Sequence, residues 1–160
     1  MTAAAALAVV AALAVGPPWI SIEYPANPYD RSNTGAVLYV HVFHHAQPIA
    51  YPIEGTAEGF VNGERRSIKL KFTDTERPAV YSLSRQWPTE GVWTLVIKMS
   101  RGDHGDDGAT AVVELGTDGE IASVRVPTRQ QGQWTIPVDV SMTEIDRGLR
   151  ARASALAVRR

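Results

Sequence analysis

The chain has no cysteine in its 160 residues, which excludes disulfide staples, thiolate catalysis and cysteine-ligated zinc. Any core must therefore hold by packing alone. The chain also lacks a charge bias, since 16 Lys and Arg stand against 17 Asp and Glu for a formal net charge of −1. Such a balance supplies no overall field for nucleic acid, and none is expected as a partner. Catalytic signatures are missing as well: there is no G-x-S-x-G elbow, no phosphate-cradling glycine loop and no H-E-x-x-H helix. With Met1 lost on processing, only Met99 and Met142 would remain, too few for a methionine-rich copper(I) site.

What is present is apolar patterning. At 44% hydrophobic content, 160 residues suffice for one domain with its own core. The clearest stretch is Arg77 to Met99. Two runs rich in β-branched and aromatic residues, Val80 to Trp87 and Gly91 to Met99, flank Pro88-Thr89-Glu90, whose proline interrupts any ladder. Strand alternation puts Trp93, Leu95, Ile97 and Met99 on one face, the expected core face, and Val92, Thr94, Val96 and Lys98 on the other.

Upstream, Thr2 to Val15 is an uncharged apolar run, short for a bilayer span, with Ala12-Leu13-Ala14 as an A-x-A signature. A signal segment over 1–14 and an exported, periplasmic or extracellular domain are the expectation. Trp19 to Tyr24 and Ala36 to Phe43 read as strands. Ile53 to Val61, interrupted by Gly55 and Gly59, reads as a weaker, bulged or edge strand. Asn62-Gly63 marks a hairpin into Arg65 to Thr73. Ala109 to Leu115 and Ile121 to Val126 complete a series of turns about every ten residues, the rhythm of a sandwich. Thr128 to Pro137 reads as polar and irregular, with Trp134 its one large apolar group. Ser141-x-x-Glu144 is a capping box for a terminal helix with Ile145, Leu149, Ala153 and Leu156 on one face.

Gly91-Val92-Trp93-Thr94-Leu95 after Tyr81-Ser82-Leu83 resembles bacterial extracytoplasmic Ig-like domains of the YtkA-like and FixH-like type, over Ile20 to Met99. The resemblance implies an Ig-like topology and no particular activity. The fold expected is thus mainly β, an antiparallel Ig-like β-sandwich over 19–126, followed by an irregular linker and a short amphipathic C-terminal α-helix over 127–160.

Two clusters carry candidate chemistry. His41, His44 and His45 invite copper or zinc, which neutral imidazoles bind. In a regular strand His41 and His45 stand about 13 Å apart and His44 faces the other way. Only a strand ending near Phe43 brings His44 and His45 together, with His104 as a third ligand from another loop. The second cluster is the glycine-rich loop 100–108, where Arg101, Asp103, His104, Asp106 and Asp107 form a candidate recognition loop, its carboxylates spaced unlike an EF-hand. Glu54 and Glu58 share a strand face at about 13 Å, beyond glycosidase working distances, and read as solvent-facing edge residues. The arginines of the terminal helix, from Arg147 to Arg160, suit its C-terminal dipole, and membrane contact is expected only through this helix. The function expected is a non-enzymatic exported module that binds a protein or cell-envelope component and needs no cofactor, with copper or zinc handling as the alternative.

Overall fold

The computed structural model describes residues 16–30, 35–102 and 108–158. The expected signal segment, Asp103, His104, Asp106, Asp107, Arg159 and Arg160 lie outside the described residues. In chain order the elements are β1 (Trp19–Glu23), β2 (Ala36–His44), β3 (Gln47–Pro48), β4 (Ile53–Val61), β5 (Glu64–Lys69), β6 (Thr73–Asp74) and β7 (Val80–Ser84). There follow β8 (Val92–Ser100), β9 (Gly108–Leu115), β10 (Ile121–Arg125), β11 (Thr128–Gln131), β12 (Trp134–Pro137) and the helix α1 (Met142–Val158).

All strand pairings are antiparallel. One sheet runs β1-β2-β7-β6, with β3 folded back on β2, and the other runs β10-β9-β8-β4-β5. This is the immunoglobulin arrangement, an A-B-E-D sheet facing a C′-C-F-G sheet with β10 added at one edge. Ile20, Leu38, Val40, Val42 and Leu83 of the first sheet meet Trp93, Leu95, Ile97, Met99 and Val113 of the second, all buried. At about 1.5–3 kcal/mol for each fully buried large side chain, this interface is the main stabilising element.

Three sequence expectations change. The strand expected over Val80 to Trp87 ends at Ser84, and β7 and β8 belong to opposite sheets. Residues 85–91 cross between the sheets, and side chains hold the crossing. Gln86 bonds both the N–H and the carbonyl of Lys71 at 2.8 Å, and Trp87 is buried with its Nε1 donating to the Gly119 carbonyl at 3.0 Å.

The second change concerns Ile53 to Val61, which is no edge. Strand β4 lies between β8 and β5, and its glycines permit close packing rather than bulging. A Cβ at position 59 would stand 2.5 Å from Cε3 of Trp93, its cross-strand partner. Nor is Glu58 solvent-facing. It is buried, 2.6 Å from Arg65 Nη1, and accepts a 2.8 Å bond from Ser67 Oγ, because a carboxylate leaves water only with such partners.

The third change is in the tail, where 128–137 is a regular hairpin of β11 and β12 rather than an irregular linker. Its turn uses Gly132 at φ 61°, and its residues are polar because neither face meets the core. The Asn62-Gly63 turn is as expected, with φ 52° and 81°, the positive pair that a type I′ turn requires.

The helix adds a third layer. Ser141 Oγ caps it by accepting from the Glu144 N–H at 3.2 Å. Asp139, just upstream, accepts from Thr110, Lys98 and the Val140 N–H; burial raises its pKa, but these three bonds outweigh that and hold it below the usual carboxylate range. Ile145 and Leu149 are buried with Val92, Val96, Val112 and Val140 in a second core on the back of the β8 sheet. The apolar stripe of α1 is thus packed on the sandwich. Arg152 fastens its far end, donating to the Leu115 carbonyl at 3.0 Å, the Trp93 carbonyl at 2.9 Å and Thr94 Oγ1.

Gly59→Ala tests the close packing of β4 on β8. The added methyl cannot clear the Trp93 ring, so overpacking should cost about 1–3 kcal/mol in urea unfolding. A change below about 0.5 kcal/mol, the range of ordinary surface substitutions, would contradict the packing described.

Candidate functional site

Strand β2 ends at His44 because the next two residues take left-handed conformations, His45 at φ 53° and Ala46 at φ 60°. With both central residues positive, the chain reverses in two residues and pairs His44 with Gln47 and Phe43 with Pro48. Histidine enters this region more readily than most residues, whereas an alanine there carries steric strain of about 1–2 kcal/mol.

The reversal cancels strand alternation. The His44 and His45 rings meet edge to face, centroids 3.9 Å apart, where a continuous strand would send them to opposite faces. Tyr51 Oη lies 3.0 Å from His44 Nδ1 and orients that ring. Tyr51 is itself tied to the sandwich, its carbonyl accepting from Tyr81 Oη at 3.1 Å.

This histidine pair lines a cleft of about 550 Å³ at one end of the sandwich, shared with Arg101, Pro17, Gln131 and Trp134. The cleft collects chain ends that are distant in sequence: the entry to β1, the end of β2, the exit of β8 and the β11–β12 hairpin. Trp134 stands directly opposite Gln131 across the hairpin and is 45% exposed. An indole left so open on a short hairpin is a surface that water solvates poorly, and no carboxylate lines the cleft among the described residues.

Of the candidate residues, the structure brings His44, His45 and Arg101 together, while Asp103, His104, Asp106 and Asp107 lie outside the described residues. No cluster of three or more histidine or acidic side chains suited to a metal occurs among the described residues. His44 and His45 therefore offer a copper or zinc ion two nitrogens, below the usual three or four ligands. Sequence reasoning missed Trp134 and Tyr51 as site residues. The Gln131-Gly132-Gln133-Trp134 run carried a usable signal, a tryptophan placed beside a glycine turn with no apolar neighbour to pack it.

His41 belongs elsewhere, on the outer face of the first sheet. Its Nε2 is 2.7 Å from Glu23 Oε2, and Arg77 Nη1 is 2.9 Å from the same oxygen. Burial raises the Glu23 pKa, but the His41 and Arg77 bonds together prevail and leave it lowered. Arg77 also stacks 4.4 Å over the ring of the fully buried Tyr39, whose phenol is pushed up by burial and by Asp30. Glu23 thus ties His41 of β2 to Arg77 ahead of β7, which suits bracing of the sheet rather than chemistry. Similarly, Arg65 joins Glu58 of β4 to Asp146 of α1, at 2.6 and 2.8 Å. The 23–41–77 and 58–65–146 groups are thus structural ion networks.

No family model matches the chain, and no curated protein or solved structure matches it.

Proposed function

We propose that this chain is a non-enzymatic, exported Ig-like module, of the YtkA-like and FixH-like kind its sequence resembles, that binds a cell-envelope component at the Trp134 end of the sandwich. One observation carries the reading. Four separate chain segments place Pro17, His44, His45, Arg101 and the open indole of Trp134 on a single cleft. A rigid sandwich presenting varied side chains at one end is the common form of a recognition module. The turn at His45 and Ala46 adds to this, since backbone strain is retained where the surrounding structure enforces a geometry.

A photo-crosslinking residue at position 134, installed in the full chain in its native cell, tests the reading. It should form discrete adducts with an envelope component, whereas the same residue at Asn62, exposed at the opposite end, should not. Equal labelling from both positions, or none from 134, would refute recognition at this end.

The second reading is copper or zinc handling, and the convergence of His44 with His45, steadied by Tyr51, is what favours it. Calorimetric titration of the full chain with copper(II) and with zinc decides it. A saturable heat lost in the His44→Ala, His45→Ala double variant supports metal handling; equal heats from the two proteins remove it.

A further inference from the structure

The β11–β12 hairpin turns one face to the cleft. Trp134 and Ile136 lie two residues apart and so share that face, and Gln131, the direct cross-strand partner of Trp134, lies on it with them. On the opposite face Gln130 Nε2 donates to Thr135 Oγ1 at 2.7 Å and ties the two strands together. A braced hairpin thus holds the indole beside an amide. The rest of the lining supplies a cation and imidazoles: Arg101 brings a guanidinium from the exit of β8, and His44 and His45 bring ring nitrogens, the first ring steadied by Tyr51.

We propose that the cleft binds a saccharide chain bearing carboxylates, with one pyranose ring stacked on Trp134 and a carboxylate of the chain held by Arg101. The inference rests on the cleft being the recognition end and names the chemistry of what is recognised there.

The mixture of side chains identifies the ligand first. A pyranose ring has an apolar face of C–H bonds and a rim of hydroxyls, so it needs a flat aromatic surface and, at its edges, groups that both donate and accept. The negative face of an indole attracts polarised C–H bonds as it attracts the positive edges of other rings. An amide and neutral imidazoles meet hydroxyls in both senses, because each carries a donor and an acceptor.

Size agrees. At about 550 Å³ the cleft lies within the range of small-ligand sites, about 300–1,000 Å³, whereas a protein partner spreads over about 800 Å² of surface per side. Charge then selects among saccharides. The described lining holds a guanidinium and two imidazoles and no carboxylate, and a guanidinium grips a carboxylate through two parallel N–H···O bonds. A neutral sugar offers that guanidinium only hydroxyls.

Calorimetric titration of the full chain with two matched pairs of probes tests the proposal. One pair is a peptide-free peptidoglycan tetrasaccharide, whose lactyl groups are carboxylates, and chitotetraose, its β-1,4-linked counterpart without them. The other is β-1,4-linked tetraglucuronate and cellotetraose. At least one acidic member should bind saturably, and roughly tenfold more tightly than its neutral counterpart. Trp134→Ala should weaken that binding roughly tenfold, and Trp134→Phe, which keeps a ring to stack on, should recover most of the loss. Arg101→Gln should weaken the acidic member roughly tenfold and leave the neutral one unchanged. No saturable heat from either acidic member would overturn the proposal, as would binding that Trp134→Ala leaves intact. Equal affinity within both pairs would overturn it too, since Arg101 would then hold no carboxylate. Protein adducts from a crosslinker at position 134, together with no saccharide heat, would keep the recognition end and remove the saccharide; neither adducts nor heat would remove both.

Discussion

Burial of strand β8 on both faces is the constraint on which the rest of the structure depends. Its inner face gives Trp93, Leu95, Ile97 and Met99 to the intersheet core, and its outer face gives Val92 and Val96 to the core beneath α1. A strand in that position must be central, and β4 and β9 flank it. The flanking strands are shaped by it in turn. Gly59 makes room for the Trp93 ring, and Arg152 of the helix ends on the Trp93 carbonyl and the Thr94 hydroxyl. The two cores thus share one wall, and α1 is an integral third layer of the domain. Because β8 exits into the cleft through Arg101, this wall also fixes one side of the candidate site.

Much of this was legible from residue patterns. Alternation in 92–99 identified the core face, Asn62-Gly63 the hairpin, and Ser141 with Glu144 the helix cap, because each rests on local chemistry. What was not legible rests on distant partners. Gly59 reads as a weak point in a strand until Trp93 is set opposite it. Glu58 reads as a surface charge until Arg65 and Ser67 close over it. Val92, Thr94 and Val96 read only as the face opposite the core, because what covers them is a helix about fifty residues later. The crossing after Ser84 was hidden for a related reason: its glutamine and tryptophan bonds go to Lys71 and Gly119, far along the chain.

The candidate site divides the same way. That His44 and His45 converge only if β2 stops follows from strand geometry, and the strand does stop, at His44. Trp134 was harder, since its significance lies in the cleft it overlooks rather than in its own segment. A hairpin of two short strands has little stability alone, so β11 and β12 depend on their attachment to the sandwich to hold that indole in place. The histidine turn, the β8 exit and the hairpin are therefore positioned by one packed body, which is why a single end of the domain gathers them.

Amide hydrogen exchange across the folded domain tests the central role of β8 most directly. If β8 is the shared wall of both cores, amides from Val92 to Met99 should exchange only through global unfolding and be the slowest in the chain, with those of β5 and β10, at the sheet edges, far faster. Exchange in β8 as fast as in those edge strands would contradict the account, because it would mean that the sheet opens without disrupting the two cores said to depend on it.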